Sequence, residues 1–106
     1  EIVSSQNAAP VENPDIFITA LGEDSQREAF QWLCYFGLQG IQAEMDFSNR
    51  SLKSQMKRAD RLDARHVLIV GDDELKKGAA ILRNMKTREQ ESEPLDNIVA
   101  EVKENI

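Results

Sequence analysis

The chain has 106 residues, 41% hydrophobic and 30% charged, with a formal net charge of −6. That is enough for one domain with one core, in the ordinary composition of a soluble globular fold. No apolar run reaches the ~20 residues of a membrane span, no secretory leader pattern opens the chain, and the one cysteine lacks an internal disulfide partner, which fits a reducing, cytoplasmic setting.

Residues 1–14 hold Pro10 and Pro14 and show no sustained period. They read as a linker from an upstream domain, leaving 15–106 as the folded unit. Residues 15–21 (D-I-F-I-T-A-L) are β-branched and nearly continuous in apolarity, as in a strand buried on both faces. Gly22-Glu23-Asp24 then turns into a helix with its acids at the positive end of the dipole. Ala29, Phe30, Leu33, Cys34 and Gly37 recur at helical spacing and are its expected buried stripe, with Trp32 and Tyr35 at the edge. On that stripe Cys34 is expected to be a small core residue rather than a nucleophile. The helix is expected to end within 37–40.

A second strand is expected over 41–47, followed by Ser48, Asn49 and Ser51 as N-cap candidates for a second helix. Leu52, Met56, Ala59 and Leu62 are its expected apolar face, and Arg50, Lys53, Lys57 and Arg61 form a basic stripe on another. His66–Gly71 (H-V-L-I-V-G) is the clearest strand. The order β-α-β-α-β implies a parallel sheet covered on both faces. After Gly71 the connections are too short for a crossover helix, so an antiparallel component follows. Residues 72–77 make one helical turn at most, closed by Gly78. Strands are expected over 79–85 and 86–91, and a last helix starts at Ser92-Glu93-Pro94, with Leu95, Ile98, Val99 and Val102 as its stripe. The expected fold is a three-layer α/β/α domain: a five-stranded, mostly parallel mixed sheet with one antiparallel strand and three helices.

Charge is unevenly distributed. Residues 50–65 hold six bases against two acids and 76–90 five against one, while 1–49 hold eight acids against one base. A basic block on one helix reads equally as a solvated face with i,i+4 ion pairs. Two basic blocks that one fold could bring together suggest a docking surface for a polyanion. Phosphate contacts need exposed Lys and Arg, and single-stranded bases need polar groups for their edges and flat groups for stacking. Asn49, Glu74, Arg83, Asn84 and Gln90 supply the polar groups; Phe47 and arginine planes supply the stacking.

Phosphate-cradling glycine loops are absent. One histidine without a cysteine cluster gives no zinc site, no nucleophilic triad can be assembled, and His66 reads as structural. Glu23, Asp24, Asp72 and Asp73 fall at the carboxyl ends of parallel strands. They read either as helix caps or as Mg²⁺ ligands of a phosphoacceptor receiver.

The runs S-L-K-S-Q-M-K-R-A-D (51–60), V-L-I-V-G-D-D-E-L-K-K-G (67–78) and L-R-N-M-K-T-R-E-Q (82–90) together resemble the C-terminal anticodon-binding domain of histidyl-tRNA synthetase. That family shows an S-L-K-K-Q-like helix with A-D, a strand ending G-x-x-E-x-x-x-G, and a K-x-L/M-x-[ST]-G-x-Q strand pair. The likeness covers about 15–105. It implies a mixed five-stranded sheet with three helices and binding of the tRNA(His) anticodon stem-loop. By resemblance, Asn49 reads a base edge, Glu74 accepts from a base N–H, Arg83 contacts base or phosphate, and Arg50 and Lys53 contact backbone. Gln90 completes the set, and Gly71 and Gly78 are turn glycines. Asn49, Glu74 and Arg83 are expected near one edge of the sheet. Arg88 departs from the family, which has Gly there, so the turn before Gln90 is expected to differ.

The class-defining catalytic motifs are absent, so no catalytic or metal residue is assigned and the chain is not expected to aminoacylate alone. The resemblance implies a parent enzyme joining histidine to tRNA with ATP and Mg²⁺, a homodimer whose catalytic domain partners this one. An interaction or regulatory module on the same fold is the alternative.

Overall fold

Two buried strands set the architecture. The computed structural model describes residues 14–46 and 51–105. β1 (Ile16–Leu21) and β3 (His66–Gly71) pair in parallel along their whole length, Ile16 to His66 through Leu21 to Gly71. β2 (Ala43–Met45) pairs in parallel with the other side of β1, while β4 (Ala79–Asn84) runs antiparallel to β3 and β5 (Gln90–Pro94) antiparallel to β4. The order is β2-β1-β3-β4-β5, with β4 alone opposed to the rest, as the sequence implied.

Helices α1 (Glu23–Leu38) and α2 (Leu52–Arg61) are the two crossovers. α3 (Asp72–Lys77) follows β3, and a 3₁₀ turn (Leu95–Asn97) leads into α4 (Ile98–Asn105). At six residues α3 exceeds the single turn expected at 72–77, giving four helices among the described residues where three were expected. Asp72, Asp73 and Glu74 at its start and Lys76 and Lys77 at its end complement the dipole, and Gly78 closes it at φ 75°.

Strand alternation divides the core. Ile16, Ile18, Ala20, Leu68, Val70, Ala80 and Leu82 face α1 and α4. Phe17, Val67 and Ile69 face the other way, with Ala59 and Ala64. Helix α1 is rotated from its expected orientation: Ser25, Ala29, Trp32 and Phe36 are buried. Phe30 and Cys34 are exposed, as is Gly37. Enclosing Trp32 and Phe36 removes far more apolar area from water than Phe30 with Cys34 and Gly37, so area overrode spacing.

Helix α2 buries Gln55 and Ala59 rather than Leu52, which is 38% exposed. The Gln55 amide donates to Ala20 O and accepts from Ala20 N–H, both at 3.2 Å. β2 pairs only as far as Ile18, so this side chain continues the ladder where the strand has ended. Ser51 caps α2, its Oγ accepting from Ser54 N–H at 3.3 Å.

β5 begins later than expected. Asn84 Oδ1 accepts from the N–H groups of Lys86 and Thr87, which commits that segment to a turn. The turn keeps its left-handed residue without glycine, since Arg88 adopts φ 68°. Pro94 ends β5 on the sheet edge, where a missing N–H is harmless, instead of entering the last helix. The proposed linker lies outside the described residues except for Pro14, whose carbonyl accepts from Arg65 N–H at 3.0 Å.

Candidate nucleic-acid interface

The two faces of the sheet are unequally covered. α1, α3 and α4 pack on one, through Trp32, Leu75 and Ile98 among others. On the other, α2 lies over β1. Arg58, on one flank of α2, reaches the buried carboxylate of Asp46 just past β2, with Nη1 to Oδ2 at 3.8 Å. The opposite flank, with Met56 and Lys53 three residues apart, therefore turns toward β3 and β4. Beyond it no described helix covers β4 and β5 on this face.

Cross-strand rows define what that open area presents. Val67, Arg83 and Gln90 form one row and Ile69, Ile81 and Ser92 the next. Ile81, Arg83 and Met85 are half-buried, and Gln90 and Ser92 exposed. Directly opposed residues bring Cβ atoms to about 4.5–5.5 Å, so the Arg83 guanidinium and the Gln90 amide act together. Arg83 Nε is buried with no hydrogen-bond partner among the described residues. An unmet cationic donor, an amide, a hydroxyl and an apolar floor are what recognition of an unstacked base requires.

Lys53 is exposed, three residues before the half-buried Met56 on α2. Lys57 lies midway between the buried Gln55 and Ala59 in sequence and so points away from the sheet. Arg61 is also exposed. The basic stripe is thus only partly directed at the candidate face.

Glu74 is elsewhere. Its Oε1 accepts from Gly71 N–H at 2.8 Å, closing the first turn of α3. Gly71 is extended at φ −121°, so it is glycine because of close approach rather than backbone freedom: a Cβ there would lie 2.6 Å from Glu74 Oε1. Gly78 does take the left-handed conformation expected of a turn glycine. Gly71 ends β3, whereas Arg83 pairs with Val67 near its start. Four strand residues separate those levels by about 13 Å. Arg83 and Glu74 therefore do not share one edge of the sheet as expected, because the antiparallel β4 carries Arg83 back toward the amino end of β3. A nucleic acid touching both must span several stacked steps of ~3.4 Å. Asn49 and Arg50 lie outside the described residues, as does Phe47.

The acids at the carboxyl ends have a structural use. Asp72 Oδ1 accepts from Ser25 N–H at 3.2 Å and Ser25 Oγ at 2.8 Å, capping α1 from outside. Gly22 at φ 120° leaves room for that carboxylate; a Cβ would sit 2.5 Å from it. Asp72 is therefore engaged as a helix cap, and no three His, Cys, Asp or Glu side chains among the described residues are grouped to hold a metal ion.

Sequence reasoning passed over Ile81, Met85 and Ser92 as members of the face. The alternation Ile81–Arg83–Met85 was readable, but its exposure depended on where α2 comes to rest. Gln55 and Asp46 had no sequence signal, since each is a polar residue buried by one specific partner.

The profile of the anticodon binding domain family matches residues 15–105. The chain belongs to the anticodon-binding domain family. A histidine–tRNA ligase from Desulfatibacillum aliphaticivorans is 52% identical over 89 residues, 84% of this chain and 21% of that ligase. The structure of apo histidyl-tRNA synthetase from S. aureus superposes with a TM-score of 0.80 at 38% identity, over 86% of this chain and 27% of that one. The RNA binding domain of threonyl-tRNA synthetase from Cryptosporidium parvum Iowa II shares the fold alone, with a TM-score of 0.74 at 16% identity over 94% of this chain and 26% of that one. This anticodon-binding domain is therefore of the histidyl-tRNA synthetase type. It spans about a fifth of the length of the curated relatives it matches.

Proposed function

We propose that the chain binds the anticodon stem-loop of tRNA(His) and positions it for a parent enzyme that joins histidine to tRNA with ATP and Mg²⁺. The single observation that carries the reading is the buried, unpartnered Nε of Arg83 on the uncovered half of the sheet. Arg83 and Gln90 address a base, and Lys53 the adjoining phosphates. Glu74 Oε2, which makes no hydrogen bond among the described residues, accepts from a second base farther along the strand. Asn49 and Arg50, by resemblance, extend the contact. The catalytic domain of the same enzyme is the other partner, within a cytoplasmic homodimer. Among the described residues no helix is long and apolar enough to cross a membrane.

Fluorescence anisotropy of a labelled stem-loop tests this. Binding is expected to weaken steeply from 50 to 200 mM salt, as phosphate contacts on a single strand give a slope near −0.7 per contact. A hairpin with a scrambled anticodon is expected to bind more weakly, and equal affinity contradicts specific reading.

A further inference from the structure

The sheet face opposite Arg83 carries a second polar site. His66, Leu82, Asn84, Glu89, Glu91 and Glu93 line a shallow depression of about 130 Å³ at the open end of the β3–β4–β5 ladder. The register explains the gathering: His66 pairs with Asn84, Leu82 with Glu91 and Ala80 with Glu93, so alternate residues of β5 put their carboxylates on one face beside the imidazole. His66 is only 8% exposed. Its Nδ1 is enclosed and has no hydrogen-bond partner among the described residues. Among the described residues the other ring nitrogen, Nε2, makes no hydrogen bond and is not enclosed, and the imidazole lines the depression. The enclosed Nδ1 beside the Asp15 carbonyl leaves Nε2 as the ring nitrogen able to accept a hydrogen bond.

We propose that this depression is a binding site for a guanidinium group, presented either by a free small molecule or by an arginine side chain of a polypeptide. Three carboxylates around one recess favour a cation. The choice among cations follows from spacing. Glu91 and Glu93 stand two residues apart on β5, about 7 Å, and Glu89 directly precedes the strand. A divalent ion needs oxygens converging to about 2.0–2.6 Å, and no group of three such side chains among the described residues meets that need. A guanidinium spreads five N–H donors over a planar fork and bonds two carboxylates at once, at about 2.7–2.9 Å. Its remaining donors suit Asn84 Oδ1 poorly, since that oxygen already accepts from Lys86 and Thr87 N–H; the neutral imidazole is the free acceptor. Burial keeps His66 neutral further down the pH scale than usual, against the opposing influence of the Asp15 carbonyl and carboxylate and with that of Arg65. Glu93 is held above its ordinary value by burial and by Glu101 and Glu91, a repulsion that a bound cation relieves.

The chain has one histidine, so its imidazole signals are unambiguous. Agmatine titrated into the ¹⁵N-labelled chain, followed by the His66 ring resonances, is expected to shift them saturably. The shift is expected to weaken at least fivefold in Glu91→Gln/Glu93→Gln, whose far-UV circular dichroism reports folding. A short Ac-Gly-Arg-Gly amide is the second probe: tighter binding than agmatine identifies a polypeptide source, weaker binding a free small molecule. No His66 response to either probe, or one reproduced by sodium chloride at equal ionic strength, overturns the proposal. A stronger, saturable response to MgCl₂ overturns the guanidinium assignment. If the double variant fails to fold, the wild-type titrations alone decide. Because the site lies on the face away from Arg83, its failure leaves the anticodon reading untouched.

Discussion

Arg88 shows that a non-glycine residue can hold a left-handed turn position. It holds φ 68°, a conformation that favours glycine, and the hairpin closes through Arg88 N–H to Asn84 O and Asn84 N–H to Glu89 O, both at 2.8 Å. A left-handed non-glycine residue costs about 1–2 kcal/mol, offset by glycine's greater loss of chain entropy on folding. Arg88→Gly is therefore expected to raise stability by about 0.5–1 kcal/mol in urea unfolding, while Gln90 stays opposite Arg83. His66 yields a pH dependence of definite sign. Its folded value is lowered from 6.5, first by burial. The unfolded chain then binds the proton more readily, so stability is full above pH 6.5 and is lost as pH falls from there through the folded value. Unfolding at pH 7.5 and below 6 is expected to show that loss, and His66→Gln to flatten it. At this scale the sequence was partly legible. The positions of Gly78 and Ser51 could be read because their local chemistry suffices, but Gly71 was misattributed, since the close approach of Glu74 is a tertiary fact.

At the scale of elements, strands were more legible than helix faces. β1 and β3 announce themselves because burial on both sides leaves continuous apolar runs. The buried face of α1 was misjudged because its apolar residues nearly encircle it, and only the partner sheet decides that Trp32 and Phe36 go inward. For α2 the same question has a functional edge. Lys53 borders the open face beside Met56, whereas Lys57 projects opposite Gln55 and Ala59. Lys53→Ala is expected to lower the salt slope of stem-loop binding by about 0.7–0.9, the loss of one phosphate contact, and Lys57→Ala to leave it within error. Equal effects from both would mean that the stripe acts only as a diffuse positive field.

For the molecule as a whole, the arrangement of the sheet assigns different roles to its faces. One is sealed by three helices and ends in an acidic recess; the other is half covered, with its open half carrying Arg83 and Gln90. The α/β class followed from the order of elements and the antiparallel component from the short connections after Gly71, while the resemblance implied a single antiparallel strand. The convergence of Asn49, Glu74 and Arg83 did not follow, because strand direction in β4 moves Arg83 along the sheet by an amount that no local pattern encodes. The central claim is that Arg83 reads a base rather than merely attracting RNA. The most direct measurement is the affinity ratio between the cognate and scrambled stem-loops, at fixed salt, for the wild type and Arg83→Ala. A lost base contact is worth about 1–3 kcal/mol of discrimination. The ratio is predicted to fall by roughly 5- to 150-fold, limited by its wild-type value. An unchanged ratio, with both affinities reduced alike, would contradict base reading and leave Arg83 as a phosphate contact.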